Sequence, residues 1–265
     1  MQILSFDVGG SKIACATIDE NGHLLSEVTT VATPTTADKI EQIFKNAAKK
    51  YKYDRFALAT AGVVFKNKIQ GKPNNLPAGY ENIDFPEIFK VPCIIENDAN
   101  AALFAEWKIG NLRGVDNGIM LTLGTDTGCG IIADGRILRG KCGATGEFSF
   151  PFSGRELKDL SAKYGVGESD CFKIYELVRR GDENAGKAYF EWEKNLIFGL
   201  KLLNGLFDTE VIVLSGSLSK IADYDKISAA QRQMQPHNPA LVKPALCETN
   251  AGIIGAALLC AQSEE

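Results

Sequence analysis

Histidine is almost missing from this chain of 265 residues: His23, beside Gly22, and His237, in a Gln/Pro/Asn-rich stretch, are its only two. Both read as solvated loop residues, which leaves a Ser-His-Asp hydrolase or a histidine-built metal centre without material. Long apolar runs are missing as well. No stretch reaches the roughly 18 apolar residues of a membrane helix, and the opening MQILSFDVGG lacks the basic region and cleavage site of an export signal. The expectation is a cytoplasmic protein with no membrane partner. Positive charge is not in excess either: 29 Lys and Arg stand against 33 Asp and Glu, a formal net charge of −4. That gives little footing to a nucleic-acid binder relying on phosphate neutralisation. Cys15, Cys93, Cys129, Cys142, Cys171, Cys247 and Cys260 form no C-x-x-C pair, so neither a disulfide framework nor a zinc ribbon is suggested. Most of them read as small buried hydrophobes.

What is present is an ordinary globular composition, 45% hydrophobic and 23% charged, with local signals for alternating strands and helices. Residues 2–6 and 13–18 read as strands around the tight turn Asp7-Val8-Gly9-Gly10-Ser11-Lys12, and Asn21-Gly22 as a hairpin turn before a β-prone run over 24–31. Ile40, Ile43, Phe44 and Ala47 carry the spacing of an amphipathic helix over 36–50. A strand at 56–60 is followed by a Gly-, Pro- and Asn-rich region, 71–92, with room for at most one short helix. A buried strand at 93–96 then meets an alanine-dense helix at 100–108, with Asn97 and Asp98 at the junction, where α/β proteins commonly place their chemistry. Further on come a strand at 118–123, a glycine turn over 124–130 and a strand at 131–138 bent through Asp134-Gly135. A long helix at 188–207, a strand at 211–214, the turn Ser215-Gly216-Ser217 and a small-residue helix at 252–261 complete the pattern. The organisation expected is two α/β lobes, 1–110 joined by the last helix at about 250–265, and 111–249.

Turns with two or three glycines let backbone N–H groups approach phosphate oxygens, because no Cβ stands in the way. The Asp7–Lys12 and Gly124–Gly130 segments both qualify, and each is equally open to reading as a plain structural turn. Neither is a P-loop or a dinucleotide fingerprint. Asp98, in Glu96-Asn97-Asp98-Ala99-Asn100, has two readings that are compatible with each other: the N-cap of the following helix, or a general base held near a substrate hydroxyl at the end of a rigid strand.

Taken together and in this order, the three glycine turns and the Glu-Asn-Asp-Ala-Asn-Ala-Ala segment resemble the ROK family of sugar kinases and sugar-responsive repressors, over nearly the whole chain. The resemblance implies the two-lobed actin-like ATPase (ribonuclease H-like) fold, ATP-dependent phosphorylation of a hexose or N-acetylhexosamine hydroxyl, Mg²⁺ with ATP, and a homodimer. It implies that Asp7, Gly9, Gly10, Ser11 and Lys12 face ATP phosphates, with Asp7 toward Mg²⁺. Gly124, Thr125, Gly128 and Gly130 match the second phosphate loop, and Gly216 the turn near the adenosine. Asp98 matches the catalytic aspartate that takes the proton of the attacking sugar hydroxyl, and Asn75, Asn97 and Glu147 match sugar contacts.

Departures from the family pattern are equally specific. Ser149-Phe150 replace a Gly-His, and residues 151–161 hold none of the cysteines of the family's zinc segment, so no zinc site is expected, and Phe148, Phe150 and Phe152 are read as apolar packing in its place. Leu157-Lys158 stand where a Leu-Glu sugar contact would fall, unless Glu156 shifts into its place; a lysine can only donate hydrogen bonds. Asp126 occupies a usual glycine position of the phosphate loop, where a carboxylate repels ATP unless it turns outward or faces Mg²⁺. The second reading is therefore a non-catalytic sugar- or nucleotide-binding sensor. The repressors of the family carry an N-terminal helix-turn-helix, for which the early Asp7 turn leaves no room, so no nucleic-acid partner is expected.

Overall fold

The computed structural model describes residues 1–147 and 151–263. The chain groups into two compact units: Met1–Arg113 with Ile137–Thr145 and the residues from Leu246 onward, and Gly114–Arg136 with Gly146–Ala245.

The first unit opens with β1 (Gln2–Val8), β2 (Lys12–Asp19) and β3 (Thr29–Ala32), then α1 (Ala37–Lys50) and β4 (Arg55–Thr60). The small hairpin β5 (Val64–Phe65) and β6 (Lys68–Ile69) follows, then α2 (Phe85–Phe89), β7 (Cys93–Asn97) and α3 (Asp98–Ile109). The sheet order is β3-β2-β1-β4-β7, with β1, β4 and β7 parallel and the other pairs antiparallel. Of the β-prone run after Gly22 only Thr29–Ala32 becomes a strand, and all four of its residues are exposed at the sheet edge. In the Gly/Pro-rich region there are two short helical pieces where one was expected, a 3₁₀ turn at Tyr80–Asn82 and α2, which Asp84 caps by accepting from the Glu87 N–H at 3.1 Å.

The second unit holds β8 (Gly118–Leu123), β9 (Thr127–Ala133), β10 (Arg136–Ile137), α4 (Gly154–Lys163), α5 (Cys171–Arg179), α6 (Glu183–Phe207), β11 (Val211–Ser215), α7 (Tyr224–Met234) and β12 (Leu241–Pro244). Its sheet runs β10-β9-β8-β11-β12. The glycine turn expected over 124–130 is shorter than the sequence suggested. Leu123 already pairs with Thr127, so the turn is Gly124-Thr125-Asp126, and Gly128 and Gly130 lie inside β9. Helices α4, α5 and α7 were not legible from periodicity, yet each carries a side-chain N-cap: Ser153, Asp170 and Asp223. Ser153-x-x-Glu156 is a capping-box sequence that could have marked α4.

The chain ends in α8 (Ala251–Gln262), part of the first unit. Alternation along β1 sorts the two faces of that sheet. Leu4, Phe6 and Val8 point into a core of aromatic rings from α1 and α2, with Phe44, Phe85 and Phe89. Ile3 lies on the other face with Ile253 of α8 and among small residues of β2, β4, α3 and α8, including Ala14, Ala59, Ala101 and Ala256. The apolar surface of α8 runs around its circumference, as expected of a buried helix. Its glycines let the backbone approach α3 closely; a Cβ on Gly255 would collide with the Ala101 carbonyl.

Candidate active site

The parallel strands of the first unit end together. Val8 pairs with Thr60, and Thr60 with Asn97, so β1, β4 and β7 bring Asp7, Thr60, Asn97 and Asp98 to one edge of the sheet. The cap of α3 falls on Asn97 rather than Asp98: the Asn97 Oδ1 accepts from the Asn100 N–H at 3.1 Å, and its Nδ2 donates to the Gly62 carbonyl at 3.1 Å. Asp98 is the first helical residue, half-buried, with Oδ1 accepting from the Ala99 N–H at 2.8 Å. The buried hydroxyl of Tyr80 lies 2.9 Å from that of Thr60, and the charges of Asp7 and Asp98 both reach it, adding to the burial that pushes this phenol up.

Asn75 is brought to the first glycine turn. A Cβ on Gly10 would stand 2.7 Å from the Asn75 Cβ and 2.9 Å from its carbonyl oxygen, so only glycine permits this approach. The Gly9 N–H closes the turn on the Lys12 carbonyl at 3.0 Å, which leaves Gly10 and Ser11 as its exposed tip. Thr33 braces the turn from β3's side, its hydroxyl donating to the Gly9 carbonyl at 2.6 Å.

By the alternation of β1, Asp7 faces α8. Burial pushes its carboxyl up to about 6, an effect that the Lys12 ammonium partly offsets. Mg²⁺ is usually held by one or two carboxylates together with phosphate oxygens. A desolvated carboxylate beside a phosphate-sized glycine turn fits that donor set, because its charged form gains from a cation carried in by the nucleotide. Among the described residues no cluster of three or more His, Cys, Asp or Glu comes together as an all-protein metal site.

In the second unit a cavity of about 350 Å³ is lined by Gly124 and Thr125 together with Lys158, Cys171, Phe172 and Leu218, among others. The N-terminus of α4 grips the loop: the Gly154 N–H donates to the Gly124 carbonyl at 2.8 Å and the Arg155 N–H to the Thr125 carbonyl at 3.1 Å. Asp126 pairs with the Arg155 guanidinium at 3.0 Å, so the carboxylate that departs from the glycine pattern has a cation of its own. The Gly128 N–H is occupied by the Thr122 hydroxyl at 3.1 Å, and Gly130 is a ladder residue opposite Met120. Gly216 turns the chain after β11, close against Leu123, and its neighbour Ser217 lines the cavity. Leu157 is fully buried while Lys158 faces the cavity. Glu147 is exposed as a residue, although desolvation still raises its carboxyl above the ordinary value.

Of the three phenylalanines assigned to packing, Phe148 and Phe150 lie outside the described residues. Phe152 is fully buried; its carbonyl accepts from the Trp192 indole at 2.8 Å, and its ring fills the space a Gly199 side chain would need. Four of the cysteines are buried and Cys142 is exposed.

Sequence reasoning missed Thr60, Tyr80, Gly252 and the buried Glu96. The Glu96 Oε2 receives two N–H groups of Arg139, at 2.6 and 3.0 Å. Glu96 stands at the head of the Glu-Asn-Asp-Ala-Asn segment, which could have flagged it; Thr60, Tyr80 and Gly252 acquire their places through partners remote in the chain.

The chain is similar to known proteins over nearly its full length. The ROK family model matches residues 3–150 and 152–263. An N-acetylmannosamine kinase of Yersinia pseudotuberculosis is 26% identical over 286 aligned positions, covering 96% of this chain and 97% of that protein. A ROK family glucokinase from Streptomyces griseus, solved with glucose and AMPPNP, superposes with a TM-score of 0.82 at 26% identity, covering 99% of this chain and 100% of that one. A ROK hexokinase from Thermus thermophilus gives 0.81 at 27%, with 97% of each chain covered. The fold is that of the actin-like ATPases. With the family model matched over nearly its whole length, the chain belongs to the ROK family.

Proposed function

We propose that this protein is an ATP-dependent sugar kinase that transfers the γ-phosphoryl group to a hydroxyl of a hexose or N-acetylhexosamine. The observation that carries the reading is the meeting of Asp7, Thr60 and Asp98 at one sheet edge, beside a glycine turn that Asn75 abuts. Kinase relatives aligned over nearly the full length support it.

Phosphoryl transfer asks the protein for positioning and charge neutralisation more than for covalent chemistry. In the proposed step the sugar oxygen bonds to the γ-phosphorus while its proton passes to the Asp98 carboxylate. The bond from that phosphorus to the bridging oxygen breaks, and its electron pair leaves with ADP. Gly10, Ser11 and Lys12 would meet phosphate oxygens, and so would Gly124 and Thr125. Asn75, Asn97 and Glu147 would hold sugar hydroxyls, Asn97 with what its capping bonds leave over. Mg²⁺, held by Asp7, would supply neutralisation of the phosphate charge. The Asp126–Arg155 pair weighs in favour of catalysis over a silent sensor, because the carboxylate is already compensated.

A cytoplasmic location and a homodimer complete the proposal. Among the described residues no helix is long and apolar enough to cross a membrane. Phe198, Leu202 and Leu206 form an exposed apolar row, spaced by four, on α6, which supports pairing of two copies.

A coupled ADP-release assay with Mg-ATP against a panel of hexoses and N-acetylhexosamines tests the reading. Turnover on one of them, lost in Asp98→Asn, is the expected result. Silence across the panel from folded protein that still binds a sugar would replace the kinase with a sensor.

A further inference from the structure

We propose that Arg139 is a positioning residue for phosphoryl transfer, acting through the buried carboxylate of Glu96 on the junction that presents Asp98. The inference rests on the kinase reading above.

Glu96 is the penultimate residue of β7 and is only 5% exposed. Its two oxygens have separate duties. Oε2 accepts from Nε and one terminal nitrogen of Arg139, at 3.0 and 2.6 Å. Oε1 accepts from the Asn97 N–H at 2.9 Å and from the Asn100 side-chain amide at 3.3 Å. The guanidinium therefore fixes the rotation of the carboxylate, and the carboxylate fixes the peptide entering Asn97 and the first turn of α3. Asn97 in turn caps that helix. Asp98 lies between the two groups that Glu96 holds, so the position of its carboxylate depends on a cation 43 residues from Glu96 in the chain.

Arg139 is itself held in place. It opens the segment Arg139-Gly140-Lys141-Cys142-Gly143, in which a Cβ on Gly143 would collide with the Val64 carbonyl. Val64 follows shortly after Gly62, whose carbonyl receives the Asn97 amide. The Asn97–Asp98 junction is thus gripped by Glu96 on one side and by the Gly62 loop on the other, and Arg139 stands behind the first grip. A buried carboxylate without its cation either takes up a proton or turns toward water. In both cases the hydrogen bonds to Asn97 and Asn100 weaken, and a misplacement of about 1 Å at the reacting groups is enough to slow transfer up to about 10²-fold.

The test measures kcat, both KM values and the melting temperature of full-length Arg139→Gln and Arg139→Lys beside the wild type, on whichever sugar the wild type turns over. The expected result is a fall in kcat on the order of 10- to 10²-fold for Arg139→Gln, with both KM values within about threefold and folded protein at the assay temperature. Arg139→Lys should recover a large part of kcat, since one ammonium N–H can still reach Oε2. If Arg139→Gln does not fold, Arg139→Lys and Glu96→Gln carry the comparison: an amide has one acceptor oxygen for the donors that Oε1 and Oε2 now divide between them, so Glu96→Gln should lower kcat in the same range, and wild-type kcat in folded Glu96→Gln would overturn the inference. A lowered melting temperature with wild-type kcat in the folded variants would make the pair merely structural and overturn the inference alone. Absence of wild-type turnover on every sugar would remove the kinase reading and this inference with it.

Discussion

Gly252, in the first turn of α8, faces the Asp7 carboxylate so closely that a Cβ there would stand 2.5 Å from Oδ2 and 2.7 Å from Cγ. The last helix therefore sets where the first strand's carboxylate lies. Gly252→Ala should push Asp7 off its position and lower kcat/KM for Mg-ATP on the order of tenfold. Binding of adenosine, which needs no cation, should change little. Steady-state kinetics and equilibrium titration with adenosine check both halves.

Asp7 also predicts a pH signature of stability in the absence of Mg²⁺. Its carboxyl is pushed up to about 6 in the folded protein, from an ordinary value of 3.8. A raised acid favours folding only while it is protonated, so its contribution is complete below the unfolded value and lost as pH rises through about 6. The cost at neutral pH is on the order of 2–3 kcal/mol. Asp7→Asn should accordingly gain stability over the wild type between pH 4 and pH 6.5, with no further gain above, while losing activity. Urea unfolding of both proteins across that range measures it; a pH-independent difference would contradict the assignment.

The Asp98 carboxylate accepts from the Ala99 N–H, a bond that an asparagine oxygen can also accept. Asp98→Asn should leave the melting temperature within a few degrees and reduce kcat by on the order of 10²-fold or more, as loss of a general base does. Unchanged turnover would remove this residue from the chemistry.

Asp126 and Arg155 are both largely exposed, so the pair is worth less than about 1 kcal/mol to stability. Its effect should fall on the nucleotide. Arg155→Ala leaves the carboxylate uncompensated beside the Gly124–Thr125 loop and should raise KM for ATP several-fold. Adding Asp126→Gly should restore it. Kinetics of the single and double variants decide whether the charge acts as described.

Phe152 packs in the described part of the segment where the family carries zinc ligands. Phe152→Ala removes a fully buried ring and should cost about 3–5 kcal/mol, read by denaturant unfolding. Zinc analysis of the purified wild type should find no stoichiometric metal.

Much of the local structure was legible because it is written between chain neighbours. The spacing of Ile40, Ile43, Phe44 and Ala47 marks α1, and the apolar run over residues 2–6 that meets a glycine turn marks β1. Asp134-Gly135 marks the hairpin between β9 and β10, both residues having positive φ. The place of Asp98 at a strand-to-helix junction follows from the apolar run before it and the alanines after it. Where the reading slipped, competition from pairing was the cause. Gly128 and Gly130 have the composition of a turn, but β8 supplies a ladder partner for each, and ladder hydrogen bonds outweigh the glycine preference. The cap falls on Asn97 because α3 begins at Asp98, two residues before the alanine-dense run that marks it in the sequence.

Periodicity and glycine placement were thus enough to set most of the candidate residues on strands, turns and helices, and the order of the motifs to name the family, since backbone sterics and nearest-neighbour hydrogen bonds act over a few residues. The company those residues keep is another matter. That Gly252 makes room for Asp7, that Asn75 lies on Gly10, and that Arg139 steadies Glu96 from 43 residues away are consequences of how strands and helices pack. Such contacts form only after loops have closed and faces have been buried, and no pattern within a short window of the chain encodes them.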